Sequence, residues 1–363
     1  MDSHIINRNF SFFVIVLYVF LGGLTYSQFF SDDELASSIL FFLKIFLIFI
    51  LIFLKLSKLK IYKAELVIFI ISIALFLSFD AYLMTLSFMM IVGLLFSEIL
   101  TLRVSYLKWL NYSLIASILM VFLLSYLGVS KNLVFYDSNG FALEKRESLG
   151  FINPNPASIL IAQAIFFSLY FKDKFLLLIS IFLYAYTFSD LGSRTALGGF
   201  LLFLILYVFS RFPFLNKYYY FRTVGLLTIF SLIIFPIVLI QFIARGNWFF
   251  GGVDFNILLT TRLEKIMDLY ASYGVNIYPS FLGSNVVDSG ISNLLIGGGW
   301  VIYFLYIIYS YLYLKLEKNT FLILFFITFI GMNFVENIIT GNMLLSIFLF
   351  GRFVYLLNLR RSD

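Results

Sequence analysis

The sequence lacks cysteine and contains a single histidine, His4, close to its beginning. The absence of cysteine excludes disulfides, thiolate nucleophiles and cysteine-ligated metals. With one histidine, there is no group of histidines and carboxylates at metal-ligand spacing, and the later loops have no imidazole for acid–base chemistry. A glycine-rich phosphate loop and a dinucleotide fingerprint are also missing. The sequence therefore favours chemistry that uses no nucleotide.

Charge is scarce as well: 12% of the 363 residues are charged, whereas 62% are hydrophobic and the mean hydropathy is +1.02. Soluble domains have about 45–50% apolar residues, so a chain this apolar needs the bilayer as its solvent. Continuous apolar runs of about 20 residues indicate helices, because lipid forces each segment to satisfy its own backbone hydrogen bonds. The alternating segments of a β-barrel are not seen. We predict an all-α polytopic membrane protein.

The apolar runs predict about twelve membrane helices, within a range of ten to thirteen, in a single membrane domain that covers residues 1–363. Arg8 precedes the first run, which lacks a small-residue cleavage site and is predicted to be a retained anchor. The predicted helices cover residues 10–26, 35–54, 64–79, 82–102, 108–128, 157–171, 175–188, 196–210, 223–243, 286–314, 321–332 and 338–357.

Basic residues are concentrated in alternate loops and near the C-terminus, and the intervening loops are acidic or balanced. Cytoplasmic loops collect lysine and arginine, so this pattern predicts an even number of crossings with both termini in the cytoplasm. It also explains the net charge of +6 without a nucleic-acid partner. The basic positions are Lys55, Lys58, Lys60, Lys63, Arg103, Lys108, Lys172, Lys174, Arg211, Lys217, Arg222, Lys315, Lys318, Arg352, Arg360 and Arg361. The acidic positions are Asp32, Asp33, Glu34, Asp80, Asp190 and Glu336.

Two of the predicted external loops, residues 129–156 and 244–285, are longer than the rest. Long loops are usually functional or disordered. The second contains an apolar stripe at Leu263, Ile266 and Met267 that is typical of an amphipathic helix. We therefore predict a short helix on the outer surface within a large late external loop.

Three arginines on the predicted outer side oppose the positive-inside bias, and each needs an explanation. Arg194 lies where a helix re-enters the membrane, Arg245 opens the second long loop, and Arg262 begins its surface helix. The planar guanidinium suits two-point contact with phosphate, and a helix start also favours anions. We predict that all three bind substrate phosphate. The alternatives are a salt bridge, such as one with Asp190, or a contact with lipid headgroups.

External carboxylates are the candidates for acid–base chemistry. Asp288 and Glu264 are the candidate catalytic groups, since a sugar hydroxyl needs a nearby base to lose its proton as it attacks. Glu264 and Asp268 share one face of the surface helix. Glu336, among several asparagines at an external turn, is a candidate substrate ligand. The alternative for each is a solvated loop charge or an arginine partner.

Amides and one buried charge complete the candidates. Asn153 and Asn155 stand in an Asn-Pro-Asn-Pro run, where prolines fix the backbone and the amides are placed to bind sugar or backbone groups. Such pairs are also common turn formers. Lys44 lies inside the second predicted helix, and an intramembrane charge indicates either a functional group or an ion pair with a neighbouring helix.

The order of these motifs resembles the Wzy-type O-antigen and capsular polysaccharide polymerases, within the O-antigen ligase-like superfamily. The resemblance covers about residues 150–306. Its elements are the Asn153-Pro-Asn155 run, Ser193-Arg194-Thr195, the late loop with Arg262, Asp288-Ser-Gly and the glycines Gly297, Gly298 and Gly299.

The resemblance implies a GT-C-like fold in the bacterial plasma membrane and a substrate carried on undecaprenyl pyrophosphate. A growing chain would be moved from its carrier onto a fresh lipid-linked repeat unit. Arg194 and Arg262 would hold the donor pyrophosphate, and Asp288 would help deprotonate the acceptor hydroxyl. The expected partners are these lipid-linked oligosaccharides, membrane lipids and, as an open question, a chain-length regulator protein. No cofactor is implied, and a role for a divalent cation stays open.

The chain also departs from the pattern. Ligases of this superfamily depend on a histidine in the large external loop, which this chain lacks, so polymerase is favoured over ligase. The arginine–glycine spacing of some polymerases is matched only loosely by Arg262 and Gly274. A flippase or other transporter of lipid-linked oligosaccharides is the main alternative, although transporter sites lie near the bilayer midplane. A ligase is the third hypothesis.

Overall fold

The computed structural model describes residues 3–56, 62–138, 143–212, 217–245, 249–250, 253–254, 262–283 and 285–359. It is 78% helical. Its helices, in chain order, are α1 Ser3–Leu24, α2 Gln28–Asp32, α3 Glu34–Leu56, α4 Lys63–Phe76, α5 Ala81–Ile99, α6 Val104–Tyr126, α7 Pro154–Phe171, α8 Lys174–Leu191, α9 Arg194–Phe209, α10 Lys217–Arg245, α11 Arg262–Tyr273, α12 Gly290–Ile296, α13 Gly299–Leu316, α14 Thr320–Asn333 and α15 Leu344–Leu359.

Many of these helices are long and apolar enough to cross a bilayer. Within the described residues seven meet that criterion: Glu34–Leu56, Ala81–Ile99, Val104–Tyr126, Pro154–Phe171, Lys174–Leu191, Tyr219–Gln241 and Gly299–Leu316. Shorter apolar helices cover Asn9–Leu24, Ala196–Phe209, Thr320–Asn333 and Leu344–Leu359. These helices confirm the prediction of an all-α, multi-pass membrane protein.

The helices pack as a bundle around α5, α7, α14 and α15. α5 packs between α4 and α15, α14 contacts α9 and α10, and α1 packs on α3 and α6. Aromatic side chains fill the centre: the Phe166 and Phe203 rings are 4.4 Å apart, and Phe167 meets Phe325 at 5.5 Å. These side chains are fully buried, so this part of the bundle is a packed core.

The bundle has two unlike ends, which we name by their connections. The long-loop end carries residues 127–138, 143–153, 262–283 and 285–289 together with the α1–α2, α4–α5, α8–α9 and α14–α15 connections. Phe151 pairs with Ser27, and Gly283 N donates to Asp80 Oδ2 at 2.7 Å, which ties these connections together. The short-loop end is the opposite one, where α3 meets α4 and α13 meets α14.

The first long segment contains a β-hairpin that was not predicted. β1 (Val134–Ser138) pairs antiparallel with β2 (Leu143–Glu147), and β3 (Phe249–Phe250) pairs with β4 (Val253–Asp254) in the second long segment. α7 begins at Pro154, inside the predicted 129–156 loop, because Asn153 Oδ1 caps it by accepting from Asn155 N. The predicted surface helix is present as α11.

The prediction of one continuous helix over residues 286–314 is wrong. α12 ends at Ile296, and α13 starts again at Gly299, whose φ is +67°. A Cβ at Gly299 would lie 2.5 Å from the backbone oxygen of Tyr278, so another chain segment passes too close for any side chain. The glycines therefore break the helix and let α12 sit against the α14–α15 connection.

The predicted helix over residues 338–357 also starts late, at Leu344. Residues 334–343 form a largely buried, non-helical segment, which we call the 334–343 segment. Its backbone is held by side chains and neighbouring helices: Ile338 N donates to Asn333 Oδ1, and Gly341 N donates to Thr85 O. Irregular backbone of this kind persists among membrane helices only where protein surrounds it.

Candidate functional site

The Arg262 cluster comprises Arg262, Asp288 and Glu336 at the long-loop end. Arg262 Nη2 donates to Glu336 Oε1 at 2.5 Å, and Arg262 Nε lies 3.5 Å from Asp288 Oδ2. The side chains are 13%, 44% and 7% exposed for Arg262, Asp288 and Glu336. One guanidinium is thus held between a buried carboxylate and an accessible one. Three of the predicted site residues come together here.

α11 places Arg262 in this cluster. Ile266 and Leu269 form the buried face of the helix, against α12, while Glu264 and Asp268 lie exposed on the other face. Arg262, at the first residue of α11, is therefore directed towards the α14–α15 connection. Glu264, predicted as a catalytic carboxylate, lies on the exposed face.

Short, tightly held segments position the two carboxylates. Gly290 N donates to Glu336 O at 3.3 Å, and a Cβ at Gly290 would lie 2.7 Å from Asn333 Oδ1. Beside Asp288, Asn293 donates through Nδ2 to Val287 O and accepts from Val287 N. The sequence analysis missed Asn293, although an asparagine early in a short helix after a loop is a signal for such a backbone contact.

The Arg262 guanidinium is partly desolvated, which strengthens its hydrogen bonds to anionic oxygens. It already faces two carboxylates, so a phosphate ligand has to compete with them for its donors. Asp288 is accessible enough to accept a proton from a bound hydroxyl, and the buried Glu336 keeps the guanidinium oriented. The cluster therefore places a cation and an accessible carboxylate 3.5 Å apart.

A second polar region surrounds Arg146, which the sequence analysis also missed. Arg146 Nη2 donates to Asn155 Oδ1 at 2.6 Å, and its Nε donates to Leu191 O at 2.8 Å. Asn155, predicted to bind substrate, thus holds an arginine, and Asn153 caps α7. The missed signal was an arginine on the predicted outer side, which opposes the positive-inside bias in the same way as Arg194.

Arg146 lines a cavity of about 280 Å³ at the start of α9, which we call the Arg146 pocket. The pocket lining consists of Lys145, Arg146, Phe188, Ser189, Gly192, Ser193 and Leu197. On its hairpin wall, Lys145 Nζ donates to Glu147 Oε1 at 2.6 Å. That hydrogen bond, helped by one from Asn132, holds the pKa of Glu147 below its ordinary value. The pocket is open, and its lining combines apolar side chains with Ser189 and Ser193 and with the two basic residues of the hairpin.

The side chains of Arg194 and Arg245 lie outside the described part of the structure. Their backbones place Arg194 at the first residue of α9 and Arg245 at the last residue of α10. On α9, a Cβ at Gly199 would lie 2.6 Å from Met332 Sδ, and Glu336 N donates to Met332 O. Arg194 precedes Gly199 by about 7.5 Å along the helix axis. The start of α9 and the Arg262 cluster therefore lie at the same end of the bundle.

Lys44 is buried, at 5% exposure, within α3. Its Nζ donates to Asn342 Oδ1 at 2.8 Å and to Thr25 Oγ1 at 3.1 Å. The sequence offered an acidic partner on another helix as one explanation of this charge. Among the described residues its hydrogen-bond partners are instead neutral, and Asn342 belongs to the 334–343 segment that also supplies Glu336.

Comparison with protein-family models, curated proteins and solved structures gives no match for this chain.

Proposed function

We propose that this chain is a polysaccharide polymerase that joins oligosaccharide repeat units, carried on a lipid pyrophosphate, at the outer face of a bacterial plasma membrane. The observation that carries the proposal is the Arg262 cluster, where a mostly buried guanidinium lies beside an accessible carboxylate. The reaction needs a cation for the departing pyrophosphate and a base for the acceptor hydroxyl.

In the proposed step, the acceptor hydroxyl oxygen attacks the anomeric carbon of the donor sugar while the bond from that carbon to the pyrophosphate oxygen breaks. The lipid pyrophosphate leaves with the bonding electron pair, and Arg262 offsets the charge on its leaving oxygen. The hydroxyl proton passes to Asp288. Glu336 orients Arg262 by its hydrogen bond.

The remaining candidates receive supporting roles. Arg194, at a helix start, contributes a second contact to the pyrophosphate, because exposed N–H groups and the helix dipole favour anions there. Arg245 contacts phosphate from the end of α10. Asn155 and the Arg146 pocket bind sugar units next to the start of α9. Glu264 is a second, exposed carboxylate for acceptor hydroxyls.

The proposal includes a GT-C-like arrangement of twelve crossings with both termini in the cytoplasm. It is supported by the loop charges: Lys63, Arg103, Lys172 and Lys318 flank connections at the short-loop end, which positive-inside places in the cytoplasm. The long-loop end, with the Arg262 cluster, then faces the outer side of the membrane, which is the side where the proposed lipid-linked substrates are located.

The test uses glycan gels from a strain that lacks the gene and carries variant copies. Arg262→Gln and Lys265→Gln each remove one positive charge from α11, but Lys265 lies on its exposed face. Long glycan chains of different lengths give a ladder of bands on the gel. We expect Arg262→Gln to yield single repeat units in place of that ladder, with polymerase activity at least about 100-fold lower. Lys265→Gln should keep the ladder. An unchanged ladder with Arg262→Gln, at normal protein level, would overturn the proposal.

A second matched pair tests the carboxylate. Asp288→Asn should abolish the ladder, whereas Asp268→Asn, on the exposed face of α11, should not. Arg262→Lys tests whether the positive charge alone is sufficient, since lysine keeps that charge but lacks the planar guanidinium. Arg194→Ala should leave an inserted protein that also makes single repeat units.

One observation favours a transporter of lipid-linked oligosaccharides as the second candidate. Lys44 is buried within a membrane-spanning helix, and charges at such depth commonly line transport pathways. Under this hypothesis the gene deletion would leave untranslocated substrate on the cytoplasmic leaflet. Under the polymerase hypothesis the single repeat units would reach the outer leaflet, so labelling of surface glycans distinguishes the two.

A further inference from the structure

Residues 275–283 form a non-helical connection at the long-loop end that exposes its large apolar side chains. Ile277, Tyr278 and Phe281 are 64%, 74% and 64% exposed, whereas Ser280 in the same connection is buried. A loop that faced only water would expose the serine and cover the larger apolar groups, and clustered apolar exposure marks an interaction surface. We call the three exposed side chains the 277–281 patch.

Two hydrogen bonds attach this connection to the first turn of α13. Trp300 N donates to Asn276 O at 2.9 Å, and Val301 N donates to Ile277 O at 3.1 Å. The first N–H groups of a helix have no partner inside the helix and need water, a cap or another segment. Because carbonyls of the connection satisfy these two groups, the start of α13 can lie in a layer that is poor in water.

A third hydrogen bond attaches the connection to the start of α5. Gly283 N donates to Asp80 Oδ2 at 2.7 Å, and the other oxygen of Asp80 caps α5 by accepting from Leu83 N. Both α5 and α13 are long and apolar enough to cross a bilayer. Phe79, directly before Asp80, is also 80% exposed. The connection is therefore held where two membrane-spanning helices begin, which is the depth of a membrane interface.

The 277–281 patch continues the lipid-facing surface of α13. The exposed side chains of that helix include Val301, Phe304, Leu305 and Ile308, whose spacing places them on one face. On a membrane-spanning helix, such a face contacts lipid tails. Since Val301 is hydrogen-bonded to Ile277 O, the patch begins where this lipid-facing surface ends.

We propose that the 277–281 patch inserts into the boundary between lipid headgroups and acyl chains, in the leaflet at the long-loop end. Tyr278 joins an apolar ring to a polar hydroxyl, a combination that is enriched at this boundary. Apolar groups that anchor at this boundary enter by about 5–10 Å. The inference requires only a membrane-spanning bundle, so it goes beyond the proposed function and does not depend on it.

Insertion of the patch also restricts the position of the Arg262 cluster. In the chain, the 275–283 connection lies between α11, which begins with Arg262, and Asp288. Lipid contact therefore holds both of these residues close to the bilayer surface, whatever ligand the cluster binds.

The experiment measures the depth of single positions, which the absence of cysteine makes straightforward. Ile277→Cys, Tyr278→Cys and Phe281→Cys are each labelled with the fluorophore NBD in full-length protein, in nanodiscs of phosphatidylethanolamine and phosphatidylglycerol. Asp268→Cys, on the exposed face of α11, is the aqueous control, and Phe304→Cys, exposed on α13, is the lipid control. Doxyl-labelled lipids quench the fluorophore from the membrane, and iodide quenches it from water.

We expect the three labels of the 277–281 patch to be quenched by doxyl lipid and to emit at shorter wavelength than the label at Asp268→Cys. We also expect a loss of iodide quenching relative to that control. Iodide quenching equal to that of Asp268→Cys, without quenching by doxyl lipid, would overturn the inference. Thermal unfolding shows whether each variant folds, and three separate positions keep the test decisive if one variant does not.

Coverage by a partner protein gives a different result. Labels that iodide reaches in nanodiscs of the purified protein, but not in native membranes, would show that a protein covers the patch, and the lipid proposal would fail. The glycan gel tests the polymerase proposal separately. Loss of the ladder with Arg262→Gln, together with water-exposed labels, supports the polymerase and rejects the lipid anchor, and a surviving ladder with lipid-quenched labels does the reverse.

Discussion

Helix α3 buries two lysines about three turns apart, and their partners differ in kind. Lys55, 6% exposed at the short-loop end, lies 2.7 Å from Glu65 Oε1 and 3.0 Å from Glu98 Oε1. Lys44, 5% exposed and nearer the long-loop end, donates to the neutral oxygens of Thr25 and Asn342. The two lysines are buried to nearly the same extent. Among the described residues, carboxylates contact only Lys55, at the short-loop end.

This difference separates a buried lysine that carboxylates neutralise from a buried lysine that neutral groups hold. A buried ion costs several kcal/mol to desolvate unless a partner offsets the cost. At the short-loop end the partners are supplied by the helices themselves. At the long-loop end the cost at Lys44 is offset only by hydrogen bonds, and Asp288 beside Arg262 is half exposed. In the proposed function, the long-loop end is the functional face of the bundle.

The largest effect is expected from Lys55→Met. It leaves Glu65, with a side chain only 1% exposed, and the neighbouring Glu98 without their shared cation. Breaking a buried pair in this way costs about 3–5 kcal/mol. Thermal unfolding of the purified protein in detergent measures it, with Lys55→Arg as the control that keeps the charge. A Lys55→Met protein as stable as the wild type would contradict the structural role.

Glu317→Gln tests the second ion pair of the short-loop end. Arg352 Nε donates to Glu317 Oε2 at 2.7 Å, and the carboxylate also accepts from the backbone of Lys318 and Asn319. Arg352 is 22% exposed, so water can partly replace the lost charge. We expect a loss of about 1–3 kcal/mol in the same unfolding assay. A loss of stability larger than that of Lys55→Met would show that the Glu317–Arg352 pair stabilises the fold more than the Lys55 pairs do.

Sequence reasoning predicted the fold class well, because long apolar runs are a direct consequence of spanning lipid. It also located α11, since an apolar stripe at helical spacing is visible without tertiary context. It could not place the break at Gly297 and Gly298, which depends on residues 276–282 passing close to Gly299. The late start of α15 likewise follows from a contact between Gly341 and α5.

The sequence predicted the individual residues of the candidate site but not the contacts between them. Arg262, Asp288 and Glu336 were each named from an external charge that needed an explanation. That the three form one cluster depends on how α11, α12 and the 334–343 segment pack. The β-hairpin carrying Arg146 was missed, although Asn139-Gly140 is a typical hairpin turn and follows the strand formers Val134, Phe135 and Tyr136. Lys55 was counted as a loop charge, although it is buried.

Lys44→Met tests the buried lysine whose hydrogen-bond partners are neutral, for comparison with Lys55→Met. Methionine has a similar volume and removes a buried charge that lacks a carboxylate partner among the described residues. We expect a stability within about 1 kcal/mol of the wild type, against a large loss for Lys55→Met. We also expect a shortened glycan ladder, because an intramembrane charge without a structural role indicates function. A destabilised Lys44→Met with a normal ladder would make Lys44 structural, like Lys55.

The smallest effect concerns the exposed pair of Lys145 and Glu147 on the hairpin. Because the pKa of Glu147 is lowered in the folded hairpin, its contribution is present above the ordinary carboxyl pKa. The contribution is lost as the pH falls through the lowered value. Hydrogen-exchange protection of residues 134–138 and 143–147 should therefore fall as the pH drops below the ordinary carboxyl pKa. Glu147→Gln should flatten that dependence.

Glu264→Gln, which removes an exposed carboxylate from α11, is the control and should leave the pH dependence of the hairpin intact. A surface pair is weak because water screens both charges, so a global change in melting temperature is not expected. A small loss of protection at neutral pH is expected with Glu147→Gln, but if the variant lost all protection of the hairpin there, the pair would stabilise the wall of the Arg146 pocket as firmly as the buried pairs stabilise the short-loop end. The contrast between the two ends would then depend on Lys44 and the Arg262 cluster alone.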